Sequence, residues 1–136
     1  MTKLKYYKMF IDGEWVESEN KKTFETLNPE NNKPWAVVPE ASANDVNKAV
    51  NAAQKAFEGD WPKLLPKERA KFLRAIGEQL RENAEMLGEI ETIDTGKIIR
   101  ETKKQAIYIA DYYDYYAGLA DKVEGPVLPI DKPNIQ

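Results

Sequence analysis

The sequence predicts a mainly helical chain that opens with a set of short β-strands. Three observations lead there. Residues 8–38 carry turn signals between short apolar or alternating runs, the mark of strands. Residues 43–123 carry apolar side chains at three- and four-residue steps, the mark of helices. No strand–helix–strand alternation is visible, so no parallel sheet is expected to close from this chain alone.

Taken in order, Asp12-Gly13 sits between apolar residues and reads as a two-residue hairpin turn, because both positions can take positive φ. Strands are expected near 8–11 and 14–17. Residues 23–27 alternate and are rich in β-branched and aromatic types, a further strand. Residues 28–34 form a turn cluster built on Asn and Pro. Residues 35–38 are a short apolar strand stopped by Pro39.

Ser42 is a good N-cap, with Asp45 three residues on as a capping-box partner. Behind it Val46, Ala49, Val50, Ala53 and Phe57 share one face of a helix over about 43–58, which residues 59–62 end. Pro66 suits the first turn of the next helix, where its missing N–H costs nothing. Phe72, Leu73, Ile76 and Leu80 make one stripe; Met86, Leu87, Ile90 and Ile93 make another. Asn83 between them is expected to cap a second helix after a small break. Gly77 and Gly88 lie inside these patterns at a cost of about 1 kcal/mol each relative to Ala. Each marks either a functional close approach or ordinary tight helix packing. Gly96 is a natural C-terminal glycine. The last helix is expected over about 98–123, with Ile99, Thr102, Ala106, Ile109, Tyr113, Tyr116 and Ala120 stepping by threes and fours along one face. Gly125-Pro126 stops it, and an extended segment follows.

A chain of 136 residues fits one ordinary domain. A net charge of −3, with both signs mixed along the helices, leaves no basic footprint for nucleic acid. No stretch approaches the length of a membrane span. The first eight residues are basic but lead into no apolar run, so they do not read as a secretory signal, and a cytoplasmic location is expected. There is no cysteine and no histidine. That removes disulfides, a thiolate nucleophile and an imidazole base from this chain's chemistry. Three long striped helices face only a few short strands. The imbalance implies a piece of a larger domain or of an oligomer.

The chemical candidates are few. Asp94-Thr-Gly-Lys97 ends like a phosphate-binding loop, but position 91 is Glu where such a loop needs Gly, and no strand leads in. It reads as a helix C-terminus. Asp111 and Asp114 lie three apart on one helix face. They read as a solvated charged edge, with Lys104 one to two turns earlier. Tyr108, Tyr112, Tyr113, Tyr115 and Tyr116 crowd the last helix. They either pack in a core or interface, or leave one side as a pocket wall with its hydroxyls free.

Residues 10–15 (Phe-Ile-Asp-Gly-Glu-Trp), Thr26-Leu-Asn-Pro29, Glu91-Thr-Ile-Asp-Thr-Gly-Lys97, Tyr115-Tyr-Ala-Gly118 and Gly125-Pro-Val-Leu-Pro-Ile-Asp131 form an ordered set. In that order and at those separations they resemble the N-terminal segment of the NAD(P)-dependent aldehyde dehydrogenases. The resemblance implies an α/β parent with a Rossmann-type cofactor domain. Residues 1–124 would pack on that domain, and residues 125–136 would start the arm that pairs subunits. It implies oxidation of an aldehyde to a carboxylic acid through a cysteine thiohemiacetal, with NAD or NADP as cofactor. The catalytic cysteine and glutamate and the cofactor-binding motif have no counterparts in these residues. The chain alone is therefore expected to be inactive and to bind no cofactor, with the rest of a dehydrogenase polypeptide, or a second copy, as partner. An assembly module pairing with itself or with a separate catalytic chain is the alternative. The resemblance also implies part of a Na+ or K+ site, from the main-chain carbonyls of Thr26 and Leu27 and the carboxylate of Asp94. Finally, it places Tyr108 and Tyr112 at the substrate entrance. No nucleic acid or membrane partner is implied.

Overall fold

A computed structural model describes residues 4–122 together with 124 and 125. Five strands come first: β1 (Lys5–Tyr6), β2 (Met9–Ile11), β3 (Glu14–Val16), β4 (Thr23–Asn28) and β5 (Lys33–Pro39). Four α-helices follow: α1 (Ala43–Glu58), α2 (Pro66–Glu82), α3 (Ala84–Thr95) and α4 (Ile99–Leu119). A short 3₁₀ turn, Trp61–Lys63, joins α1 to α2. The start of the arm expected from residue 125 onward lies, past Gly125 itself, outside the described residues.

The hairpin forms as expected. Asp12 and Gly13 both take positive φ, 53° and 83°, and Met9 to Ile11 pair antiparallel with Val16 to Glu14. β4 and β5 pair antiparallel and reach further into the turn cluster than expected, leaving only residues 29–32 as the turn, with Asn32 at φ 54°. The expectation that no parallel pairing could close is corrected. β1 lies parallel to β5, with Lys5 opposite Ala36 and Tyr6 opposite Val37. A parallel pair needs a long crossover. Here the hairpin and β4 supply it instead of a helix.

Ser42 and Asp45 form the predicted reciprocal cap. Asp45 N–H donates to Ser42 Oγ at 3.1 Å, and Ser42 N–H donates to Asp45 Oδ2 at 2.9 Å. Asp45 does more than cap. Its buried carboxylate also accepts from the backbone N–H of Glu19, at 3.1 Å to Oδ2, and so ties α1 to the segment after the hairpin. Pro66 opens α2 as expected, and Glu68 Oε2 accepts from Leu65 N–H at 2.9 Å. Asn83 departs from its expected role. Its side chain makes no cap for α3; Nδ2 donates back to the Gln79 carbonyl at 2.8 Å and closes α2. Gly96 ends α3 at φ 74°. Its missing Cβ also makes room, since an added one would meet Pro29 Cγ at 3.0 Å.

α2, α3 and α4 form the helical core, and small residues make their seam. Thr102, Ala106, Ala110 and Ala117 are the buried residues of α4, facing Ala70 and Gly77 of α2 and Ala84 and Gly88 of α3. A Cβ on Gly88 would stand 2.6 Å from Lys103 Cγ and 2.8 Å from the Lys103 backbone nitrogen. A Cβ on Gly77 would stand 3.2 Å from the Ala110 carbonyl. Both glycines therefore serve tight helix packing. Of the face expected for α4, Thr102 and Ala106 are buried and Tyr113 is half-buried, while Ile99, Ile109 and Tyr116 are exposed, because the close seam admits only small side chains. The helix also stops at Leu119, four residues short of the expected end.

Larger apolar residues are displaced outward. Val46, Val50 and Phe57, the predicted inner face of α1, are 52%, 60% and 67% exposed. Phe72, Ile76 and Met86 of the other stripes are also exposed. These faces have the composition of a core and no cover among the described residues.

Two expectations follow. Gly88→Ala should destabilise the chain by about 1–3 kcal/mol through overpacking against Lys103. Gly118→Ala, where an added Cβ meets nothing within 4 Å, should leave stability unchanged or raise it by up to about 1 kcal/mol. Denaturant midpoints for the two variants compare them directly, and equal shifts would sink the seam argument. Second, the hydrogen bond from Ser42 N–H, helped by that from Glu19, holds Asp45 below its ordinary value of 3.8. The stabilisation this gives is fully present above 3.8 and is lost as pH falls through the lower folded-state value. Asp45→Asn should accordingly flatten the acid limb of a stability–pH curve relative to the unmodified chain.

Candidate functional site

Two places gather chemistry-bearing side chains. The first is the junction of β4 and β5 with the C-terminus of α3. Asp94 sits in the last turn of α3, and the strands bring Thr26 and Trp35 to it. Thr26 Oγ1 donates to Asp94 Oδ1 at 2.6 Å, and Trp35 Nε1 donates to the same oxygen at 3.3 Å. Tyr7, Phe24, Ala36, Val38 and Ile90 complete an open cleft of about 310 Å3 around them. Of the three residues expected to share a cation, Thr26 and Asp94 are thus brought together. Leu27 is the next residue of β4, its side chain exposed and outside the cleft. The pairing of β4 with β5 slips in register between Thr26 and Leu27, where Trp35 is the extra residue.

Among the described residues, no group of three or more His, Cys, Asp or Glu side chains is placed to hold a metal. A cation at this junction would therefore depend on oxygens other than clustered carboxylates. Main-chain carbonyls and the Asp94 carboxylate are hard donors of the kind a monovalent ion accepts. Trp35 was missed by the sequence reading as a partner of Asp94, since 59 residues separate them.

The second place is the outer face of α4. Tyr108 and Tyr112 lie one turn apart, their rings 5.0 Å apart at 89°, edge to face. Their hydroxyls share a hydrogen bond of 2.9 Å. Of the two readings open for the cluster, the outer wall is the one seen for this pair, with one change: helical spacing stacks the two phenols so that one hydroxyl donates to the other, which keeps its own O–H. This bond raises the pKa of Tyr112 above its ordinary value of 10.0. Tyr115 and Tyr116 pack edge-on at 5.3 Å, and with Tyr108, Tyr112 and Asp111 they line an open cavity of about 280 Å3. Only Tyr113 of the cluster turns inward, half-buried.

Asp111 and Asp114 form the solvated charged edge that was expected, with a partner that was not. Arg81 on α2 reaches both, with Nη2 donating to Asp111 Oδ1 at 2.7 Å and to Asp114 Oδ2 at 2.6 Å. Those bonds hold the guanidinium more firmly protonated than an ordinary arginine. Lys104, the cation noted on the same helix, is not the partner. The Asp94-Thr-Gly-Lys97 stretch is a helix C-terminus as expected: Thr95 Oγ1 donates to the Glu91 carbonyl at 2.7 Å, and Lys97 Nζ bonds Glu91 Oε1. No described helix is long and apolar enough to cross a membrane.

With this geometry in view, comparison with known proteins is specific. Residues 15–136 match the family model described as the aldehyde dehydrogenase family. The chain is 42% identical over 134 residues to a (Z)-2-((N-methylformamido)methylene)-5-hydroxybutyrolactone dehydrogenase of Acinetobacter baylyi, covering 98% of this chain and 27% of that protein. It is 40% identical to betaine aldehyde dehydrogenase of Bacillus subtilis, covering 93% of this chain and 26% of that protein. A crystal structure of betaine aldehyde dehydrogenase from Staphylococcus aureus in complex with NAD+ superposes with a TM-score of 0.89 at 38% identity, over 95% of this chain and 26% of that one. The chain therefore spans about a quarter of the length of the relatives it matches.

The hydroxyl pair gives a direct expectation. Tyr108→Phe removes the bond that favours neutral Tyr112, so Tyr112 should ionise at lower pH than in the unmodified chain. Ultraviolet titration of phenolate absorbance reads this; an unchanged or upward shift would show that the pair does not exist in solution.

Proposed function

Because the chain belongs to the aldehyde dehydrogenase family, we propose that it is the N-terminal part of an enzyme oxidising an aldehyde to a carboxylic acid with NAD+ or NADP+. The observation that carries this is the fold match: more than nine-tenths of the chain superposes on the Staphylococcus aureus dehydrogenase at 38% identity. The uncovered faces of α1, α2 and α3 support it, since they need a partner that the remaining three-quarters of such a protein would supply.

On this reading the work is divided. NAD or NADP, when bound, accepts the hydride. The sequence carries no glycine-rich phosphate-binding turn and no cysteine, so neither the cofactor nor the nucleophile is held by these residues. What they contribute is framing. Tyr108 and Tyr112 border the aldehyde entrance, and Arg81 fixes that stretch of α4 through Asp111 and Asp114. Thr26 and Leu27 offer carbonyls, and Asp94 a carboxylate, toward a Na+ or K+ ion whose further ligand lies beyond residue 136. Residues 125–136 begin the arm between subunits.

A second reading rests on the same bare faces: the chain is an assembly module that pairs with itself or with a separate catalytic chain.

The natural gene product, purified from its own cells, should reduce NAD+ or NADP+ when given an aldehyde. The 136-residue chain alone should show neither that activity nor a calorimetric signal with micromolar cofactor. A gene product inert toward a broad aldehyde panel would remove the proposal. Recovery of oxidation on mixing the short chain with a separate chain carrying the later segments would favour the assembly module.

A further inference from the structure

Arg81 stands in the last turn of α2, where the helix dipole favours a cation. Its Nη2 donates to Asp111 Oδ1 at 2.7 Å and to Asp114 Oδ2 at 2.6 Å, both on α4. One nitrogen thus spans two carboxylates three residues apart on a single helix face. The backbones are close at the same level. A Cβ on Gly77 would stand 3.2 Å from the Ala110 carbonyl and 3.6 Å from both Arg81 Nη1 and Asp114 Oδ1. Gly77 and Arg81 of α2, with Ala110, Asp111 and Asp114 of α4, therefore form one joint between the two helices.

The joint and the tyrosine wall share a residue. Asp111 lines the cavity of about 280 Å3 together with Tyr108, Tyr112, Tyr115 and Tyr116, whereas Arg81 and Asp114 do not. Whatever holds Asp111 against α2 also sets where its carboxylate lies relative to the rings. Without Arg81, two carboxylates one turn apart would repel each other with no cation between them. Asp111 would then be free to leave α2 and swing across the wall. A lone exposed ion pair contributes little, but a guanidinium shared by two carboxylates is a small network and holds better.

Resting on the dehydrogenase reading and on its placement of Tyr108 and Tyr112 at the aldehyde entrance, we infer that Arg81 is a positioning residue for aldehyde binding. It touches no substrate. It keeps Asp111 on the α2 side, so the ring wall has one shape when an aldehyde arrives. Its loss is felt in KM rather than kcat, because the wall lies along the approach and carries none of the reacting groups.

The experiment measures kcat and KM of the natural gene product for an uncharged aldehyde, hexanal, at saturating cofactor. Arg81→Met keeps the apolar stem of the side chain and removes the guanidinium. It should raise the KM for hexanal about three- to tenfold and leave kcat and the cofactor KM within about twofold. Arg81→Lys, a cation with three donors, should recover most of the lost affinity. Asp114→Asn should shift KM the same way by less, although Asp114 does not line the cavity, and it keeps the inference testable if Arg81→Met fails to fold. An unchanged KM in Arg81→Met, or in Asp114→Asn where the first variant does not fold, overturns the inference. So does a fall in kcat with a rise in both KM values that Arg81→Lys does not reverse, the mark of a purely structural role. Both of these outcomes leave the dehydrogenase reading intact. A gene product that oxidises neither hexanal nor any other aldehyde of a broad panel overturns that reading and the inference with it.

Discussion

The contact on which the helical half depends is the approach of α3 to the backbone of α4 at Gly88. There is no room for a Cβ there, and Lys103 fills the space one would occupy. The proximity lets Thr102, fully buried, donate to the Gly88 carbonyl at 2.9 Å while its oxygen stands 3.0 Å from the Thr92 hydroxyl. A buried hydroxyl without partners would cost stability; here it joins two helices. Gly77 repeats the device one helix earlier, against the Ala110 carbonyl. Once the seam is this close, Ala and Thr must line it, and the bulkier Ile, Phe and Tyr residues point elsewhere. The outward-facing apolar residues of α2 and α4 and the tyrosine wall are consequences of that one constraint.

The strands are fastened to the helices at two carboxylates. Asp94 collects Thr26 and Trp35 onto α3, and Pro29 packs against the space left by Gly96. Asp45 collects Glu19 and Ser42 onto α1. Each carboxylate sits at a helix terminus and accepts hydrogen bonds from groups distant in sequence. Asp45 does so at an N-terminus, where the helix dipole adds to its preference for the charged form. Asp94 lies in the last turn of its helix and takes both of its donors from the strands. The exposed α1 face and the open wall of α4 lie on parts of the surface that these fastenings leave uncovered, and there the proposed catalytic partner and substrate would meet the chain.

Local chemistry made much of this readable. The Asp12-Gly13 turn, the Ser42–Asp45 cap, the Pro66 start and the Gly96 stop are decided by residues within a few positions of each other, and each formed as expected. The ordered landmarks from Phe10 to Asp131 carried the family. Less readable were features in which a distant residue competes with a local one. Asn83 had two local options, capping the helix ahead or closing the one behind, and it took the second. Arg81 claimed Asp111 and Asp114 from 30 and 33 residues away. Two-residue β1 has no pattern long enough to announce itself and exists because β5 offers an edge.

The sequence by itself determined where the chain turns, where its helices begin, which residue types it can use and which family it belongs to. These follow from backbone preferences and from covalent inventory, which need no tertiary contact. Only the tertiary structure decided which side of each helix is inside. A 3.6-residue period marks an apolar stripe but does not say which part of it another backbone will approach, and here glycines and alanines, the weakest hydrophobic signal in the pattern, took the inner positions because they alone fit.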